Sequence, residues 1–180
     1  MVYVFLADGF EEMEALIPVD VLRRGKVDVK TVAIGGGKTV CGSHKISVNA
    51  DISEDEFSPS DAQAIILPGG MPGTLNLEKN QTVKNAINYC EENKLLICAI
   101  CAAPSILGKM GLLEGKNAVC FPGFEDALLG ARLSDGIVCA DGNIITAKGA
   151  GAALDFAVKI LEKLTGGENA EKTEGALQRR

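Results

Sequence analysis

The chain has no tryptophan, and aromatic residues make up only 4% of it, so stacking platforms for nucleic-acid bases are poorly supplied. Basic charge is also lacking. The formal net charge is −6, whereas phosphate backbones and anionic membranes need clustered Lys and Arg. No nucleic-acid or membrane partner is expected, and the acidity serves solubility. No apolar run reaches membrane-spanning length, because the longest low-polarity stretch, Leu95–Met110, is broken by Pro104 and Ser105. The opening MVYVFLADGFEE is too short in its apolar run, and too acidic after it, for a signal peptide. The expected location is cytoplasmic.

Further absences concern cofactors. Cys98-Ala-Ile-Cys101 has CxxC spacing, but no second pair completes a zinc site, and residues three apart on a strand diverge. The six cysteines, at 41, 90, 98, 101, 120 and 139, are expected to be reduced. Gly35-Gly36-Gly37-Lys38-Thr39 resembles the end of a phosphate loop, yet the position of its first glycine is Val32 and no helical pattern follows. Gly149-Ala150-Gly151 resembles a dinucleotide loop, but its third position is Leu154. It reads instead as close backbone packing. No cofactor and no metal are expected. The single histidine, His44, falls on a stretch that reads as a hairpin over 38–49. That is a poor place for a catalytic base.

What is present is alternation. Met1–Ala7, Val27–Ile34, Gln63–Leu67, Leu95–Ile100 and Lys116–Phe121 are apolar runs of strand length. Helical patterns cover Glu11–Arg24 (with Pro18 inside), a segment capped by Asn80, one opened by Pro104, and one leading to about Leu164. Residues 51–61 read as an acidic loop with room for a short helical turn, and Phe124–Leu129 as a short helix. Ile137–Ala140 and Ile144–Ala147 flank Asp141-Gly142-Asn143 as a hairpin. The pattern predicts one α/β domain over 1–180, with a mostly parallel central sheet and a polar tail at 168–180. Its order fits a flavodoxin-like three-layer sandwich.

The stretch around which this is organised is LLICAICAAPSILGKM. Cys101 falls on a sharp turn between a buried strand and a helix opened by Pro104. That turn points the side chain out of the sheet's end and toward a helix dipole, which favours thiolate. The competing reading is one more buried cysteine among six. Four unusual stretches follow strand ends: Asp8–Glu14, Pro68-Gly69-Gly70, Cys101-Ala102-Ala103 and Lys148–Gly151. In a parallel sheet ligands bind beyond those ends, so all four should meet. Gly70 and Ala102 can then present two backbone N–H groups as an oxyanion site. Glu14 shares a helix flank with Ile17, Pro18 and Val21, and a buried carboxyl there would keep its proton. On spacing alone, Glu11, Glu12 and Glu14 read equally as acids decorating a helix N-terminus.

Glu11–Arg24, Leu67-Pro-Gly-Gly70, Ala99-Ile-Cys101-Ala-Ala-Pro104 and the helix opened by Lys148–Gly151 occur here in order over nearly the whole chain. In this they resemble the ThiJ/PfpI superfamily, more narrowly its parkinsonism-associated protein deglycase branch. The resemblance implies a flavodoxin-like fold, a homodimer, and Cys101 as an oxidisable nucleophile. It matches Glu14 to a protonated glutamate in contact with that cysteine, and Gly70 and Ala102 to the backbone donors beside it. Asp20 and Arg24 match positions toward the dimer contact. One departure stands out: many relatives carry a histidine before a proline where this chain has Phe121-Pro122. A Cys–His pair, and with it a protease mechanism, is not expected. Two functions follow. The first is a glyoxalase- or deglycase-like hydrolase acting through Cys101 and Glu14 on a small aldehyde or a glycated substrate. The second is a redox sensor or stress-responsive chaperone whose signal is oxidation of Cys101, without turnover.

Overall fold

β1 (Val2–Ala7) is buried along its whole length, because both faces of the sheet it belongs to are covered. In the computed structural model, which describes residues 1–178, its alternate residues serve two different cores. Val2, Val4 and Leu6 pack with α1 (Glu12–Arg24) and α5 (Ala153–Thr165), through Ala15, Leu22, Phe156 and Ile160. Tyr3, Phe5 and Ala7 pack with α3 (Gln81–Glu92) and α4 (Pro104–Lys109), through Val83, Ile87, Ile106 and Leu107. These are the three layers expected from sequence. Each large side chain buried in them contributes about 1.5–3 kcal/mol.

The remaining strands of the central sheet are β2 (Val29–Ile34), β5 (Ile52–Ser53), β6 (Ala64–Leu67), β7 (Leu96–Ile100), β10 (Val138–Asp141) and β11 (Ile144–Ala147). The order is β10-β11-β7-β6-β1-β2-β5. All pairings are parallel except β10 with β11. From β1 the chain moves outward to β2 and β5, then returns to β6 on the other side and continues outward to β7 and β11. The reversal opens a crevice beyond the carboxyl ends of β1 and β6, the usual ligand position in an open α/β sheet.

β3 (Thr39–Cys41) and β4 (Ser47–Asn49) form the expected hairpin. The cap of α3 is as predicted, with the Val83 amide donating to Asn80 Oδ1 at 3.0 Å, a bond of about 1 kcal/mol. The tail carries α6 (Gly167–Ala176), anchored by buried Ala170 and Thr173; residues 179 and 180 of it lie outside the described residues. Three readings need correction. The acidic loop contains the edge strand β5. A helix, α2 (Gly73–Lys79), occupies a stretch with no helical signature. Of the predicted strand Lys116–Phe121, only β8 (Asn117–Ala118) is extended and paired, and it pairs with β9 (Arg132–Leu133) outside the central sheet.

Candidate functional site

The loop after β6 stitches the crevice together. The Gly69 carbonyl accepts from the Glu11 amide at 2.9 Å, and the Gly69 amide donates to Glu14 Oε2 at 2.8 Å. Glu11 is also the N-cap of α1, its Oε2 accepting from the Glu14 amide at 2.7 Å. A side chain on Gly69 has no room: a Cβ there would lie 2.6 Å from Cys101 Cβ and 2.7 Å from Glu14 Oε2. Glycine is required by this close approach of backbone to nucleophile and acid.

Cys101 sits at φ 65°, in the left-handed region that L residues rarely adopt. Its amide donates to the Ala147 carbonyl at 2.9 Å, and its carbonyl accepts from the Phe121 amide at 2.8 Å. These two bonds hold the elbow from both sides. The amides of Gly70 and Ala102 are directed at the sulfur, as is the Glu14 carboxyl, and the Ala150 amide is directed at Glu14. The four predicted stretches therefore meet, and Cys101, Glu14, Gly70 and Ala102 come together in one place.

Residues 1–163 match the DJ-1/PfpI family. The chain belongs to that family. It is 36% identical over 178 residues to the Parkinson disease protein 7 homolog of Danio rerio, spanning 97% of this chain and 94% of the relative. It is 30% identical over 150 residues to a deglycase from Pyrococcus abyssi, spanning 82% and 89%. Among solved structures, a cysteine-to-alanine mutant of a DJ-1 superfamily protein from Salmonella typhimurium superposes with a TM-score of 0.94. That pair shares 34% identity, over 99% of this chain and 98% of the other.

In this DJ-1/PfpI chain the acid is the better defined partner of the pair. Glu14 is 1% exposed, and burial raises its pKa to about 7, against the opposing effect of the hydrogen bonds it receives. Burial likewise pushes the half-buried Cys101 thiol up, to about 12, and an ionised Glu14 beside it acts in the same direction. The Gly70 and Ala102 amides oppose this. The helix dipole predicts a depressed thiol, whereas burial and the neighbouring Glu14 raise it. Two groups in contact titrate as a pair, so a charge on the sulfur goes with a proton on Glu14.

His44 stands on the predicted hairpin and is exposed. The β3–β4 hairpin folds back over the start of α1, bringing the His44 ring to 2.8 Å from Glu12 Oε2. The His44 amide donates to Glu12 Oε1 at 2.8 Å, and Ser43 Oγ donates to Oε2 at 3.3 Å. Burial would raise Glu12, but these donors outweigh it and hold its pKa at about 2. Among the described residues, Glu11, Glu12 and His44 are the grouping of ligand-type side chains close enough to hold a metal. The bonds just described already occupy Glu12 and one oxygen of Glu11. His44 anchors a buried carboxylate rather than activating a thiol.

Sequence reasoning missed two participants, Gly69 and Ala150, which donate to Glu14. The signal for Gly69 was present, since two consecutive glycines after a strand allow two separate close approaches.

Proposed function

We propose that the chain is a cofactor-independent glyoxalase- or deglycase-like hydrolase that acts on reactive aldehydes, or on their adducts with thiols and amines, through Cys101. The carrying observation is the convergence on one sulfur of a buried acid with its pKa near neutrality and two backbone amides. The relative named as a deglycase supports the same reading.

The chemistry balances without an external oxidant. The Cys101 thiol passes its proton to ionised Glu14, and the thiolate attacks the aldehyde carbon of a 2-oxoaldehyde while Glu14 hands that proton to the carbonyl oxygen, forming a hemithioacetal. The Gly70 and Ala102 amides hold the developing oxyanion. Glu14, now ionised, removes the proton from the former aldehyde carbon, and the resulting enediol is reprotonated at the adjacent carbon. The product is a thioester of a 2-hydroxy acid. Water cleaves it, restoring the thiol. The aldehyde carbon is oxidised as the neighbouring ketone is reduced, with net uptake of one water. A pKa near 7 suits an acid that gives and takes protons by turns. Production of lactate from methylglyoxal by the wild-type chain and its loss in Cys101→Ser are the expected results. An unchanged rate in Cys101→Ser overturns the reading.

One observation favours a second reading. The three groups directed at the sulfur would also stabilise an oxidised, anionic sulfur, which suits a redox sensor or stress-responsive chaperone. Stoichiometric loss of aldehyde without turnover, together with selective peroxide oxidation of Cys101, would favour it.

The partner in either reading is a second copy of the chain. An apolar groove of about 420 Å³ along α1, lined by Met13, Leu16, Ile17, Leu154 and Leu177, supports a homodimer. Met13→Lys should then lower the solution mass to that of a monomer by light scattering.

A further inference from the structure

Beyond the nucleophile lies a second cavity of about 370 Å³, walled by Phe121, Pro122, Ile137 and the Gly149–Ala152 turn, with Lys148 the one charged residue lining it among the described residues. That volume is in the range of small-molecule sites, roughly 300–1,000 Å³. Two large apolar side chains that fold burial leaves open, Phe121 at 47% and Ile137 at 50% exposure, both line it.

The cavity abuts the reacting groups. Phe121 is tied to the elbow by its amide, which donates to the Cys101 carbonyl at 2.8 Å. Gly149 connects the two spaces. A Cβ added there would lie 3.2 Å from Phe121 Cδ2 and 3.7 Å from Glu14 Oε1, so ring and carboxyl flank the same bare α-carbon. A substrate whose aldehyde carbon reached Cys101 and whose oxygen reached Glu14 would carry its remaining substituent past Gly149 onto the Phe121 ring. A large apolar substituent would bury exposed ring and side-chain surface there, and a methyl group would bury less of it.

We propose that Phe121 and Ile137 form a specificity subsite that selects 2-oxoaldehydes with an aromatic or extended alkyl substituent over methylglyoxal. This deepens the hydrolase reading and rests on it. Apolar contacts of one methylene discriminate by about tenfold or more, so a phenyl group should do at least as well.

The test is the ratio of kcat/KM for phenylglyoxal over methylglyoxal, normalised to the ratio of their rates with a free small thiol. For the wild-type chain the normalised ratio should be about tenfold or more. Phe121→Ala should collapse it mainly through KM for phenylglyoxal, with methylglyoxal within about twofold. Ile137→Ala, at another residue lining the cavity, should act in the same direction and covers the case that Phe121→Ala fails to fold. A normalised ratio near one, or one that neither variant lowers, overturns the subsite while leaving Cys101-dependent turnover intact. A variant that lowers the ratio through Lys148→Ala alone would also overturn it, since charge would then be the selecting feature. Turnover independent of Cys101, or none of either aldehyde, overturns the hydrolase reading and the subsite with it.

Discussion

Two carboxyls in the first turn of α1 are both buried, Glu12 at 5% and Glu14 at 1% exposure, and they are driven in opposite directions. Glu12 is held at a pKa of about 2 and Glu14 is raised to about 7. The helix dipole is common to both and cannot separate them. What differs is the neighbour that tertiary folding supplies. On one side the β3–β4 hairpin brings an imidazole, a hydroxyl and an amide, all donors, and Glu12 becomes a fixed anion. On the other side the β6 loop and the turn after β11 each bring an amide, the elbow brings a sulfur that itself competes for the proton, and Glu14 stays poised between its forms. One acid holds structure and the other is available for chemistry.

Glu14→Gln should show the largest effect. Folding strengthens Glu14's hold on its proton, so its contribution to stability is greatest below pH 4.5 and is lost as pH rises through about 7. At 1.36 kcal/mol per pKa unit the total is about 3 kcal/mol. The Gln variant should therefore be more stable than wild type at pH 8 by about that amount in urea titrations, while aldehyde turnover falls by about 10²–10⁴-fold. A variant less stable at pH 8 would break the contrast at its root. Gly69→Ala should come next, because the added carbon collides with both Cys101 and Glu14. A loss of about 1–3 kcal/mol and a turnover reduced by more than about tenfold are expected, read by thermal melting and lactate assay.

Glu12→Gln sharpens the comparison from the other side. Its charge stabilises the fold above pH 4.5, and that contribution is lost as pH falls toward about 2. At pH 7 the variant should lose about 1–3 kcal/mol and keep turnover within about threefold. A large loss of turnover would place Glu12 in the chemistry and dissolve the division between the acids. His44→Ala should be the smallest effect. The hydrogen bond the ring donates to Glu12 raises the exposed ring's pKa, so the ring's contribution is present below its unfolded value of about 6.5 and lost as pH climbs above the folded one. The difference in melting temperature from wild type should shrink as pH rises above about 6.5.

Legibility in the sequence followed burial. β1 and β7 read as strands because parallel strands covered on both faces are unbroken apolar runs. α3 was legible from Asn80 and a clear apolar face. β5 was not, because two residues at a sheet edge carry no periodicity. α2 was not, because it starts at Gly73 after Pro72 with no polar side-chain cap. The stretch from Val119 to Phe121 looked like a strand for a good reason: Val119 and Cys120 are buried. Their surroundings, however, are not a strand ladder. The Val119 amide donates to Thr146 Oγ1 at 2.9 Å, and the Phe121 amide goes to the Cys101 carbonyl. The positions of Cys101, Gly70 and Ala102 could be read from strand-end logic. The burial of Glu14 could be read from the helix flank it shares with Ile17, Pro18 and Val21; the fixed charge of the equally buried Glu12 could not, since it depends on the long-range β3–β4 hairpin.

The backbone at Cys101 bears on selection. An L residue held in the left-handed region costs roughly 1–2 kcal/mol relative to a relaxed one, and glycine escapes that cost. A chain shaped for stability alone would therefore drift toward glycine at this position, exchanging a sulfur for a hydrogen. Here the sulfur remains at an unfavourable torsion, clamped by the Ala147 carbonyl before it and the Phe121 amide after it. The torsion can thus be read as a trace of use. Stabilising substitutions sought at random in this protein should include Cys101→Gly, and a lineage that had abandoned the thiol's chemistry would be expected to show it.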